Sequence, residues 1–204
     1  SDTAANYSTI AGVEQAGLAA IRLQDNDAAV TVTSAVNMLQ FVDLNAATSA
    51  DINLAGGISD LANNLMNAAG DTANARFTNA RTQDDNVAVT ITGANPAVAQ
   101  LNAIAALTTG KVTASISGNI ADLVNLTTAG TDDITITVDN AADIAQTIAL
   151  DAITAVNLNL AGGISGTAVS MMNAGGTVAV TGFTNARTQD DNVAVTITGE
   201  NPAV

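Results

Sequence analysis

NIADLVNLTTAGTDDITITVDNAADIAQTIALDAIT (residues 119–154) carries one strand pattern between two helical ones. In DITITVD, Ile134, Ile136 and Val138 alternate with Thr135 and Thr137, the period of two of a half-buried strand. Before it, Ile120, Leu123 and Val124 recur at helical spacing; after it, Ile144, Ala145 and Ile148 do the same. Asn119 and Asn140 suit helix N-caps, with Asp122 and Asp143 three residues on, near the positive helix end. Strand, short helix, strand, short helix is a βα series, which joins parallel strands by crossovers.

The same pattern extends along the chain. Strand-like runs occur at 28–33, 50–55, 87–92, 111–117, 133–139, 155–161, 177–181 and 193–198, with a weaker one, YSTIA, at 7–11. Most begin about 22 residues apart, a spacing typical of stacked repeats. NPAVAQLNAIAALTTG places Val98, Leu101, Ile104 and Ala105 on one helical face. Asn95-Pro96 and Asn201-Pro202 read as N-cap followed by proline in the first turn, and Ser34, Ser59 and Ser165 fit the same position. Gly110 and Gly130 stand where a helix end needs a positive φ.

A longer repeat contains these short ones. FTNARTQDDNVAVTITGANPAV (77–98) returns as FTNARTQDDNVAVTITGENPAV (183–204), differing only at Ala94 and Glu200. The offset is 106 residues, and NLAGGIS at 53–59 obeys it at 159–165. The expected fold is therefore a right-handed β/α solenoid with coils of about 22 residues. It has one parallel sheet and short helices stacked on one face, in preference to a doubly wound sheet. The chain reads as one elongated domain, 1–204, built from two long repeats, roughly 1–106 and 107–204, and about 10 short coils. FTNARTQDD, at 77–85 and 183–191, leaves too little room for a helix and is expected to return in extended form, with a hairpin as the alternative. The apolar residues of VAVTIT (Val87, Val89 and Ile91; Val193, Val195 and Ile197) should face the helices, and the threonines solvent.

Composition narrows the function. Of 204 residues, 19 are acidic and 5 basic, a net charge of −14, which removes the basic footprint a nucleic-acid binder needs. Cys and His are absent, so disulfides, thiolate sites and the commonest general base are excluded. No apolar run approaches 18 residues, and no dinucleotide, P-loop or G-x-S-x-G motif occurs. The chain is expected not to be an enzyme.

Aspartates gather before strands, at QDND (24–27), TDD (131–133) and both QDDN segments. Stacked coils would bring Asp71 beside Asp84 and Asp85, with Asp190 and Asp191 as the second-copy pair, and oxygen clusters of this kind suit Ca²⁺. No other cofactor is implied. The bland reading carries more weight: Asp and Asn form turns and keep an acidic rod soluble.

The 119–154 stretch resembles the tandem repeats of very large, acidic, Cys-free bacterial surface and extracellular proteins, adhesin-like and exported by type I secretion. The resemblance covers roughly residues 26–204. It implies a structural segment at the bacterial cell surface, acting as an adhesin stalk, spacer or self-assembling fibre unit. Its partners would be itself or neighbouring repeats end to end, with no membrane insertion. Rows of T-x-T offer a second reading, an ice-binding solenoid, and a carbohydrate- or surface-binding module is a third.

Overall fold

A computed structural model describes residues 1–9, 11–93 and 95–199. It is a mixed α/β chain in two compact units, Ser1–Ala114 and Ser115–Val204. The first contains α1 (Ala4–Tyr7), α2 (Ala16–Gln24), β1 (Val30–Thr31), α3 (Met38–Ala47), β2 (Ile52–Asn53) and β3 (Ile58–Leu61). It continues with α4 (Ala62–Leu65), α5 (Ala75–Gln83), β4 (Val89–Thr92), α6 (Val98–Leu107) and the start of β5 (Val112–Gly118). The second contains the end of β5, then α7 (Ile120–Leu123), β6 (Asp133–Val138), α8 (Ile144–Asp151), β7 (Ile164–Thr167), α9 (Ala168–Met171), α10 (Thr181–Gln189) and β8 (Val195–Thr198). From α3 to β4, each element except β2 has a counterpart in the second unit at the 106-residue offset or within it.

The strand pairs are parallel: β1 with β2, β3 with β4, β4 with β5, and β7 with β8. They lie in small sheets, not in the single sheet expected from the sequence. The cause is visible in AGGIS. Gly57 and Gly163 take φ of +80° and +83°. A Cβ on the preceding Gly56 would lie 2.1 Å from the Ser34 carbonyl carbon, so the chain turns sharply there. Ile58 then opens a new strand, and Ser59 and Ser165 sit inside β3 and β7 instead of capping helices.

Alternation on the strands holds where an element covers them. Val89 and Ile91 are buried with Thr90 and Thr92 exposed; Ile134, Ile136 and Val138 are buried with Thr135 exposed. It fails on β8, where Val195 and Ile197 are 41% and 53% exposed because no described element lies over them. α8 is rotated from the expected face: it buries Thr147 and Leu150, and Ile148 is exposed.

Four further expectations are corrected. FTNARTQ of FTNARTQDD is helical in both copies, within α5 and α10, held by Phe77 and Ala80 and by Phe183 and Ala186, and the aspartates follow the helix ends. TVAVT is therefore no strand: Val180 is the N-cap of α10. AVNLNLA contributes only a bridge between Asn159 and Thr137. In YSTIA, Tyr7 ends α1 and Ser8 bridges Glu14; Ile10 lies outside the described residues, as does the Asn201-Pro202 cap.

Helix starts are shifted. Asn119 stands at the N-cap position of α7 without a side-chain capping bond, and α3 and α8 start from Asn37 and Asp143, each with a reciprocal glutamine (Gln40, Gln146) completing a capping box. α6 starts from Ala97, and Asn95 takes a φ of +56°. Gly110 and Gly130 are not positive-φ caps. A Cβ on Gly110 would meet the Asn86 carbonyl oxygen at 2.2 Å, and one on Gly130 the Ala152 carbonyl oxygen at 2.8 Å. Close passage of the neighbouring backbone explains both glycines.

Candidate functional site

The polar side chains of this chain converge on its own backbone, in three recurring arrangements. The first joins a helix start to the next turn of chain. The Met38 amide, first in α3, donates to Asp60 Oδ2 at 2.8 Å. The Ala4 amide, first in α1, donates to Ser34 Oγ at 2.8 Å, and the Ile120 amide, first in α7, to Asn140 Oδ1 at 2.7 Å. Ser34 and Asn140 thus cap helices, but not the helices that follow them. Each satisfies an amide that a helix leaves unpaired.

The second arrangement is a buried threonine at or beyond a helix end. Thr48 Oγ1 donates to the Ala28 carbonyl at 2.7 Å and accepts from the Ala50 amide at 3.1 Å. Thr108 repeats this with Val87 and Gly110, at 2.6 and 3.0 Å. Thr154, the counterpart of Thr48, donates to the Ile134 carbonyl at 2.7 Å and accepts from the Val156 amide at 3.3 Å.

The third explains QDD. The Ile52 and Leu54 amides donate to Gln83 Oε1 and Asp84 Oδ2, both at 2.9 Å. The second copy repeats this with Leu158 on Gln189 Oε1 at 3.3 Å and Leu160 on Asp190 Oδ2 at 3.1 Å. Alternate amides on one edge of the chain are thus met by side chains where a neighbouring strand would stand. The grooves beside these contacts are rich in oxygen: Asp51, Asn53, Asp84 and Asp85 line one, and Asn157, Asn159, Asp190 and Asp191 the other.

The aspartates named for calcium are therefore spread among different tasks. Asp71 Oδ1 accepts from Asn67 Nδ2 at 2.6 Å and Thr72 Oγ1 at 2.9 Å, and these bonds hold its carboxyl below the usual value. Asp84 caps the far end of α5, and nine helical residues span about 13 Å. Asp85 accepts from the Thr109 amide through its backbone carbonyl at 3.3 Å. Asp190 Oδ1 also accepts from the Asn192 amide at 3.2 Å, and Asp191 Oδ1 from Asn192 Nδ2 at 3.1 Å. Among the described residues no three His, Cys, Asp or Glu side chains are grouped. In QDND, Asp27 shares a hydrogen bond with Asp25, which pushes its carboxyl up.

A serine–carboxylate pair also occurs. Ser8 Oγ donates to Asp43 Oδ2 at 2.6 Å, and Gln40 Nε2 holds the Ser8 carbonyl at 3.0 Å. Ser8 is fully buried, so no substrate reaches its hydroxyl, and the pair ties α1 to α3. Sequence reading missed these contacts because each joins residues 20 to 35 apart. The identity of QDD in both copies was the one legible sign. Compared with known proteins, the chain matches no family model, no curated protein and no solved structure.

Proposed function

We propose that the chain is a structural repeat segment, a β/α solenoid of a secreted bacterial surface protein that extends, spaces or assembles. One observation carries this: Asp60, Thr108, Gln83 and Asp84 bind backbone of the same chain across 21 to 31 residues. In a structural repeat such contacts join one coil to the next. The repetition of the threonine and QDD contacts at 106 residues supports the same reading.

Location at the bacterial surface, a role without catalysis and association between repeats follow from the resemblance of the 119–154 stretch. Small-angle scattering and sedimentation of the purified chain test the reading together. A maximum dimension well beyond that of a sphere of the same mass, with concentration-dependent association, is expected. A spherical particle that stays monomeric at millimolar concentration would overturn it.

Ice binding is favoured by the exposed hydroxyls of Thr90, Thr92 and Thr135. Within the first unit Thr113 of β5 stands in register with Thr90. Thermal hysteresis and ice shaping decide between the two readings.

A further inference from the structure

Two tripeptides of the form Asn-x-Ser/Thr occur in the chain, Asn6-Tyr7-Ser8 and Asn125-Leu126-Thr127. The pattern is that of an N-glycan acceptor, in which a transferase reads the asparagine amide together with the hydroxyl two residues on. Both groups must therefore face solvent on one side of the backbone. The fold treats the two tripeptides in opposite ways.

Asn6-Tyr7-Ser8 is closed. Asn6 and Tyr7 lie in α1, Tyr7 and Ser8 are buried, and Ser8 Oγ is engaged by Asp43 Oδ2. Asn6 Nδ2 donates to Asp2 Oδ1 at 2.7 Å. Presenting Ser8 to an enzyme would mean pulling α1 away from α3.

Asn125-Leu126-Thr127 is open. It lies within the second unit, in the connection 124–132 between α7 and β6. Burial alternates along it: Asn125 and Thr127 are exposed, while Leu126 and Thr128 are each 5% exposed. Such alternation sends residues two apart to the same side of an extended backbone, so the amide and the hydroxyl stand together on the outer side. The inner side is pinned, since Thr128 Oγ1 donates to the Ile153 carbonyl at 2.8 Å. Asn125 Nδ2 donates to the Ala121 carbonyl at 2.9 Å and to the Asp122 carbonyl at 3.2 Å, at the end of α7. A substituted amide keeps one N–H, so one of these bonds survives modification. The 106-residue offset puts Ala19-Ala20-Ile21 at this place. The tripeptide is therefore no part of the duplicated framework, unlike the QDD and threonine contacts.

We propose that Asn125 is an N-glycan acceptor in the folded chain, and that Asn6 is not. The proposal rests on the surface-protein reading for its setting and adds a modification site with its chemistry. Nδ2 bonds to C1 of a sugar, the bond from C1 to a diphosphate leaving group breaks, and one Nδ2 proton passes to a base of the transferase. The donor is a sugar carried on the diphosphate of a nucleoside or of a lipid. The glycan would set a bulky, solubilising group on the outer side of this connection.

The test treats the folded full chain in two arms. One uses a soluble N-glycosyltransferase with a nucleoside-diphosphate hexose, the other an oligosaccharyltransferase with a lipid-diphosphate oligosaccharide. Cleavage before aspartate releases residues 122–131, which contain Asn125 and no other acceptor tripeptide. Mass spectrometry is expected to find this peptide carrying sugar in at least one arm, and that arm names the donor. Thr127→Ser should keep the modification; Thr127→Ala and Asn125→Gln should abolish it. Asn6 is expected to accept sugar only after the chain is denatured. A bare 122–131 peptide from the folded chain in both arms would overturn the site, as would sugar on Asn6 of the folded chain. Scattering and sedimentation do not depend on any sugar, so a bare Asn125 leaves the structural-repeat reading standing.

Discussion

At the scale of single residues, the buried threonines separate this chain from one whose threonines merely decorate strands. Thr108 is 8% exposed and links the Val87 carbonyl to the Gly110 amide. Thr108→Val keeps the shape and leaves both groups unmet, which costs about 1–3 kcal/mol. Thr135→Val, on an exposed position, should change the melting temperature little. The same contrast applies across β6: Ile136 is fully buried, so Ile136→Asp should abolish folding where Thr135→Asp does not, as circular dichroism would show. Asp71 supplies a pH effect of known sign. Its carboxyl is held down by Asn67 and Thr72, so its contribution is present above the unfolded value and is lost as pH falls through the lower folded one. Thr177 takes its place in the second copy and does not titrate. In an NMR titration the Asn67 side-chain amide should shift at acid pH, and that of Asn173 should not follow a carboxyl titration of this kind.

At the scale of elements, QDD acts as a strand made of side chains. Asp84 needs only an acceptor oxygen to meet the Leu54 amide, so Asp84→Asn should hold the contact and Asp84→Ala should lose it, at about 1 kcal/mol. A calcium site has the opposite requirement: Asp84→Asn with Asp85→Asn would remove the charge and with it any calcium-dependent rise in melting temperature. Melting the variants in calcium and in chelator distinguishes the two roles. What was legible in the sequence at this scale was alternation. The first VAVTIT and DITITVD gave strands with the right residues inside because Val and Ile fit a half-buried pleat. The α5 helix was not legible, since Phe77 and Ala80 are its only buried residues and form no stripe. The AGGIS break was not legible either, because a close backbone contact, rather than a composition signal, sets it. The edge contacts of Gln83 and Asp84 depend on where a chain segment 30 residues earlier comes to lie, which no local pattern encodes.

At the scale of the molecule, the two repeats differ most in how much of their apolar surface is covered. Phe41, fully buried in α3, becomes Thr147 in α8, whose hydroxyl bonds the Asp143 carbonyl at 2.9 Å. Asp60, which caps α3, becomes Gly166, and Arg76 becomes Gly182. The second unit has thus given up core volume and a capping bond while leaving Val169, Val195 and Ile197 exposed. Opposing any association is the charge of −14 on each chain. Repulsion between exposed charges is screened beyond about 10 Å at 0.1 M salt, whereas burial of apolar surface is not weakened by it. Association of the chain through apolar surface should therefore strengthen as sodium chloride is raised from about 10 mM, where the screening length is about 30 Å, toward 1 M, where it is about 3 Å. Sedimentation velocity across that range gives the sign directly. Association that weakens with salt would mean that charged contacts, not apolar surface, hold the chains together.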